Sequence, residues 1–166
     1  GPDDFQIASF LNNLASSYQE QGRYADAGPL FERALAIRER TLGPEHIEVA
    51  ESLDALANAL ADQRRFAEAE PMYARALKIQ EKSFGPDHPE VARSLSNIGM
   101  LYLDQRQLDE AAHFFERSVE IHEKLPETSA PLLSDSLHNL AVLRFRQGRP
   151  ADAEPLVDRS LEIRER

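Results

Sequence analysis

Residues 21–46 read QGRYADAGPLFERALAIRERTLGPEH, and residues 63–88 read QRRFAEAEPMYARALKIQEKSFGPDH, the same pattern 42 residues on. Two further copies follow in register, QRQLDEAAHFFERSVEIHEK at 105–124 and QGRPADAEPLVDRSLEIRER at 147–166. A leucine-rich segment stands before each copy: FLNNLASSY, SLDALANAL, SLSNIGMLY and SLHNLAVLR. Their central residues Leu14, Leu56, Ile98 and Leu140 keep the 42-residue interval. A constant interval over four copies is an internal repeat, and a repeat sets the architecture before any single residue does. The copies divide the chain into repeats at about 8–49, 50–91, 92–133 and 134–166 of one array. Gly1-Pro2 ahead of them matches the remnant of a cleaved expression tag.

Within a copy, apolar residues fall at helical spacing. Ile7, Leu11, Leu14, Ala15 and Tyr18 share one face of a helix expected from Phe5 to about Glu20. Gly22 stops that helix, because glycine enters the left-handed region at low cost. A second helix is expected from Tyr24 to about Leu42, with Ala27, Leu30, Phe31, Ala34, Leu35 and Ile37 inward, and Gly43-Pro44 closes it. The later copies place helices at 47–62, 66–84, 89–104, 108–124, 131–146 and 150–164. Pro89 suits a first helical position after His88, and Pro131 takes the same place once Leu125–Ala130 has replaced the GP-x-H connector. Pro29, Pro71 and Pro155 recur inside the second helices, where each removes an amide donor.

An isolated helix of this length is marginal in water, so the pairs must stack to cover their apolar faces. Small residues stand where helices have to approach: Ala15, Ala57, Gly99 and Ala141 on the first helices, Ala27, Ala69, Ala111 and Ala153 on the second. The fold expected is all-α, a right-handed solenoid of four helix-turn-helix repeats.

Those residues carry a resemblance. Leu11-x-x-Leu14-Ala15-x-x-Tyr18 with Ala27-x-x-x-Phe31, and Leu95-x-x-Ile98-Gly99-x-x-Tyr102 with Ala111-x-x-x-Phe115, are similar to the tetratricopeptide repeat pattern. The interval is eight residues longer than the usual 34, and the family's late proline is replaced by Glu39, Glu81, Glu123 and Glu165. The long second helix and the connectors LGPEH and FGPDH resemble the kinesin-light-chain subgroup. The resemblance covers essentially the whole chain. It implies a non-enzymatic scaffold that binds a peptide or a partner segment along a concave groove lined by the first helices.

The side of each first helix opposite the core then supplies the candidate groove residues. They are Asn12 and Asn13 in the first copy, and Asp54, Asn58 and Asp62 in the second. Arg93, Asn97, Met100 and Asp104 follow in the third, and His138, Asn139 and Arg146 in the fourth. Asn13, Asn97 and Asn139 share one repeat position, with Ala55 breaking the series. An amide that both donates and accepts suits an extended peptide backbone, and the resemblance points to asparagines in that role. The lysines that a carboxylate clamp needs on first helices are absent, since Lys78, Lys82 and Lys124 lie on second helices. Arg93 and Arg146 are mixed with Asp54, Asp62, Asp104 and Asp135, so the expected partner is basic or mixed in charge and meets Asp54, Asn58, Asp62 and Asn97.

Composition narrows the remaining functions. A formal net charge of −10 argues against nucleic acid. Without cysteine there are no disulfides, thiolate metal sites or thiol nucleophiles. No apolar run approaches the roughly 20 residues a membrane span needs, and no signal-peptide pattern opens the chain, which points to the cytoplasm. His46, His88, His113, His122 and His138 show no metal-ligand spacing, and His46 and His88 recur where a helix begins. No cofactor is expected. Ser134, Asp135, Ser136 and His138 are neighbours on one helix, which is not a catalytic triad. The alternative to groove binding is self-association through array ends, with Leu156, Val157, Leu161 and Ile163 leaving apolar surface on the last helix.

Overall fold

The computed structural model describes residues 2–126 and 129–165. Glu127 and Thr128 of the altered connector, Gly1 of the expected tag remnant and Arg166 lie outside the described residues. Among the described residues every regular element is helical: α1 (Pro2–Glu20), α2 (Tyr24–Leu42), α3 (Ile47–Asp62), α4 (Phe66–Phe84), α5 (Pro89–Asp104), α6 (Leu108–Glu123), α7 (Ala130–Arg146) and α8 (Pro150–Glu165). The 3.6-residue period placed the interior ends correctly; α1 begins three residues ahead of Phe5, α6 ends at Glu123, and α7 starts at Ala130 with Pro131 in its first turn.

The starts and stops have local causes. His46 and His88 are N-caps whose Nδ1 atoms accept from the amides of Glu48 and Glu90, 3.3 and 3.2 Å away. Each satisfies one of the amides that a helix start leaves without an intrahelical partner. Pro89 follows His88 in the first turn. The second helices use another device, an arginine at the N-cap side gripping an acid three residues on: Arg23–Asp26, Arg65–Glu68 and Arg149–Asp152. That places a carboxylate in the first turn, where the helix dipole favours it. The tight turn inside each hairpin needs a positive φ, supplied by Gly22 (+72°), Arg64 (+60°), Arg106 (+62°) and Gly148 (+72°). Pro29, Pro71 and Pro155 lie within α2, α4 and α8, which continue through them.

The chain forms two compact units, Gly1–Ser83 and Phe84–Arg166. In the first, α1 packs on α2 and α2 on α3, with a lighter contact between α1 and α3. Ala8, Leu11, Ala34 and Ile37 form one core; Val49, Ala50, Leu53, Ala76 and Ile79 form the next, with Leu35 of α2 against it. In the second unit α5 packs on α6, α6 on α7 and α7 on α8. Leu103, Ala111, Phe115, Val119, Leu137, Leu140 and Leu143 are its core, with Leu156 and Ile163 of α8 half-buried against it. The eight small residues expected at close crossings are all buried. Leu156 and Ile163 are therefore not open apolar surface as expected; Val157 and Leu161, one step round the helix, are the exposed pair.

A polar position threads these apolar contacts. Arg38, Gln80, His122 and Arg164 recur at the 42-residue interval on the second helices, and the first three are buried. Arg38 of α2 donates to the Ser52 hydroxyl (2.8 Å) and the Glu48 carbonyl (3.0 Å) of α3, with the Glu48 carboxylate at 3.4 Å. His122 of α6 meets the Ser136 hydroxyl of α7 at 2.7 Å. In both units this position ties one hairpin to the next. Buried polar groups persist in a core when they are bonded.

Candidate functional site

The candidate residues lie on the first helices, and burial sorts them. In the first unit Asn13 is exposed, and Asn12 is half-buried with its Oδ1 shielded from solvent and without a hydrogen-bond partner. The Asn12 carbonyl accepts from Ser16, so its backbone is held as well. Gln19 near the end of α1 donates to the Asp62 carboxylate at the end of α3 across 2.6 Å, and this bond sets the two first helices side by side.

Asp54 is a correction. It was expected to face a ligand, but it is 3% exposed, and its Oδ2 accepts from Gln80 of α4 at 2.8 Å. The helical period places residue 54 between Leu53 and Leu56, and α4 closes over that side. Asn58 is half-buried, and its Oδ1 accepts from the Tyr73 hydroxyl of α4. Burial, together with the charges of Asp54 and Asp62, pushes the Tyr73 pKa well above its ordinary value. The phenol therefore stays protonated and keeps donating to Asn58.

In the second unit the face is more open and more mixed. Arg93 is exposed and forks onto Glu90, three residues back. Asn97 and Asn139 are both half-buried, in the same repeat position on α5 and α7, which touch. Met100, Asp104, His138 and Arg146 are exposed. Ser96 turns to Ser118 of α6 (2.9 Å) and Asp135 to Arg164 of α8 (2.9 Å), so these two are committed within the fold. One residue was missed by sequence reasoning: Phe145 of α7 is 70% exposed, beside Arg146. The signal available was an aromatic residue at the repeat position where the third copy has the buried Leu103.

The first helices thus offer half-buried amides, the acids Asp62, bonded to Gln19, and Asp104, and, in the second unit, the exposed side chains of Met100 and Arg146. Among the described residues no cluster of three His, Asp or Glu is placed to hold a metal ion, and no helix is long and apolar enough to cross a membrane.

The tetratricopeptide repeat model matches residues 6–81, 54–124 and 96–166, so its overlapping matches cover nearly the whole chain. The chain belongs to the tetratricopeptide repeat family. Its fold is accordingly an all-α helical-repeat solenoid, of the kind that generally serves as a non-catalytic protein-interaction scaffold. BtubC (BKLC) from P. vanneervenii is similar over 99% of this tetratricopeptide chain at 30% identity and a TM-score of 0.89. The chain spans 65% of that protein's length. A putative kinesin light chain with nearly identical TPR-like repeats, from Podosopora anserina, is 23% identical, with a TM-score of 0.68 over 97% of this chain and 96% of that one. Aspartyl phosphate phosphatase F from Bacillus subtilis shares the fold at 17% identity and a TM-score of 0.84, over 97% of this chain and 41% of that one. A kinesin-light-chain repeat protein is thus among the solved structures whose fold the repeats share. No curated protein sequence matches the chain.

Proposed function

We propose that this tetratricopeptide array is a cytoplasmic scaffold, not an enzyme, that holds an extended segment of a protein partner along the inner face of its first helices. The observation that carries the reading is the pair Asn97 and Asn139, half-buried in one register on touching helices, with Met100 and Phe145 exposed on the same helices. Half-buried amides still reach a ligand, and each can both donate to and accept from a peptide backbone. Met100, one helical turn from Asn97 and exposed, gives the partner's own apolar residues somewhere to sit. Asn13 extends the amide series in the first unit. Asp62 and Asp104 supply exposed negative charge, so a basic or mixed segment is preferred; Asp54, being buried, leaves the contact set. Arg146 and Arg93, the latter paired with Glu90, give the second unit its positive share.

Affinity capture from source lysate, comparing wild type with Asn97→Ala plus Asn139→Ala, tests this. Loss of specific partners from the double variant is expected. Identical partners on both baits would remove the inner face as the binding site. For basic peptides, affinity should fall as salt rises.

A specific observation favours one second reading, self-association. Ile7 and Phe10 on α1, and Val157 and Leu161 on α8, are exposed apolar side chains outside the inner face. Sedimentation at rising concentration decides it: a species that stays monomeric rejects this reading and leaves the first untouched.

A further inference from the structure

Four hydroxyl and ring groups between α5, α6 and α7 form one chain of hydrogen bonds whose protons fix which ring nitrogen of His122 donates. The Ser118 hydroxyl donates to the Ala92 carbonyl at 3.0 Å, because a carbonyl can only accept. Its single proton is then spent, so Ser96 (2.9 Å) and Ser136 (3.0 Å) must both donate to Ser118. The Ser136 proton is spent in turn. His122, 2.7 Å from Ser136 through Nδ1, must therefore donate to it. Nδ1 therefore carries a proton, and because a proton on Nε2 would meet no acceptor, the closed structure favours the neutral Nδ1–H tautomer with a bare lone pair on Nε2. That Nε2 is shielded from solvent with no partner, on a residue only 6% exposed.

The repeat shows what a charge at this position requires. In the first unit Arg38 holds its charge here with Glu48 at 3.4 Å and Glu51 at 3.8 Å. At the α6–α7 junction the matching positions are Leu132 and Asp135. One carboxylate is replaced by leucine, and the other is 2.9 Å from Arg164 and committed to it. The remaining charges around a cleft of about 820 Å³ that His122 helps to line are Glu123 on its own helix and Arg159 and Glu162 on α8. Glu123 and Arg159 pair with each other. From α5 the network receives the Ser96 hydroxyl and the Ala92 carbonyl.

We propose that the His122–Ser136 contact is a proton-sensitive joint between the hairpin of α5 and α6 and the hairpin of α7 and α8. Protonation adds an N–H at Nε2, buried and facing no acceptor, and the joint must loosen to solvate it through the cleft. Burial lowers the His122 pKa and Asp135 raises it in part, the net direction being downward. The unfolded or opened state thus binds the proton more readily than the closed one. The joint is at full strength above the ordinary histidine value of about 6.5 and weakens as the pH falls from there through the depressed value. Each unit of depression is a tenfold loss of the closed state.

Hydrogen exchange of the full chain at pH 7.5 and 5.5, read as protection factors, tests the joint. Wild type should lose protection in α7 and α8 on acidification, with a ceiling of about tenfold between these pH values. His122→Gln, which places here the residue that the second copy already buries as Gln80, should lose none beyond the general acid effect shared by α1 and α2. Equal losses in the two proteins overturn the proposal. An NMR titration of wild type makes a second test that needs no variant. A His122 ring that titrates at its ordinary value without shifting α7 resonances overturns the proposal as well, and a depressed value with coupled α7 shifts supports it.

Discussion

The ring of Phe115 closes on Gly99: a Cβ added at residue 99 would stand 2.6 Å from Phe115 Cε1. Phe115 is fully buried, so its ring has no free space to yield into. Gly99→Ala should therefore cost about 1–3 kcal/mol, although alanine is the better helix former. Gly28 is the control, since it lies inside α2 with nothing within 4 Å of its would-be Cβ. Gly28→Ala should gain roughly 0.5–1 kcal/mol. Urea denaturation of the pair reads both signs, and a neutral Gly99→Ala would mean the α5–α6 crossing is looser than described.

The hairpin turns predict a sign reversal between copies. Arg106 holds a φ of +62° that costs an ordinary residue about 1–2 kcal/mol, whereas Gly22 holds +72° at almost no steric cost. Arg106→Gly should stabilise the fold and Gly22→Ala destabilise it, each by roughly 1 kcal/mol, so the thermal midpoint should rise in the first and fall in the second. If both lower it, the Arg106 side chain contributes more than its backbone strain removes.

Arg38 gives the first unit its buried polar tie. Arg38→Ala removes a charged donor from Ser52 and the Glu48 carbonyl and should cost about 1.5–3 kcal/mol. Arg38→Gln, the residue at the same position in the second copy, should recover part of that. Denaturation curves of the two variants measure the difference; equal losses would show that Arg38 acts through packing of its stem alone.

His46 caps α3 through Nδ1. His46→Ala should cost on the order of 0.5–1 kcal/mol, while His46→Asp, which caps well and meets the helix dipole with negative charge, should restore or exceed wild type. A circular-dichroism melt of both variants is sufficient. An alanine variant as stable as wild type would show that the turn Gly43–His46 is held without the cap.

Much of this was legible because the causes are local. The 42-residue interval, the helical period and the small residues at 15, 57, 99 and 141 placed the helices and their crossings, and His46 and His88 were recognisable where helices begin. The candidate residues on the first helices were read less well. Asp54 looked like a groove carboxylate because the period assigns it to the flank of the α3 apolar stripe, and nothing in the chain before residue 80 shows that Gln80 will cover it. Phe145 escaped for the converse reason, an aromatic side chain at a position that is buried as Leu103 in the third copy. Leu156 and Val157 are neighbours in sequence, yet one packs on the core and the other faces outward.

What the sequence determined by itself is the repeat, its helices and its membership of the tetratricopeptide family, because period, capping and turn chemistry act over a few residues and leave their mark in order. The tertiary structure alone decided which polar residues are spent inside. Arg38 on Ser52, Gln80 on Asp54 and His122 on Ser136 join atoms 14 to 26 residues apart, and a hydrogen bond depends on where two helices bring its ends, which composition and spacing do not encode.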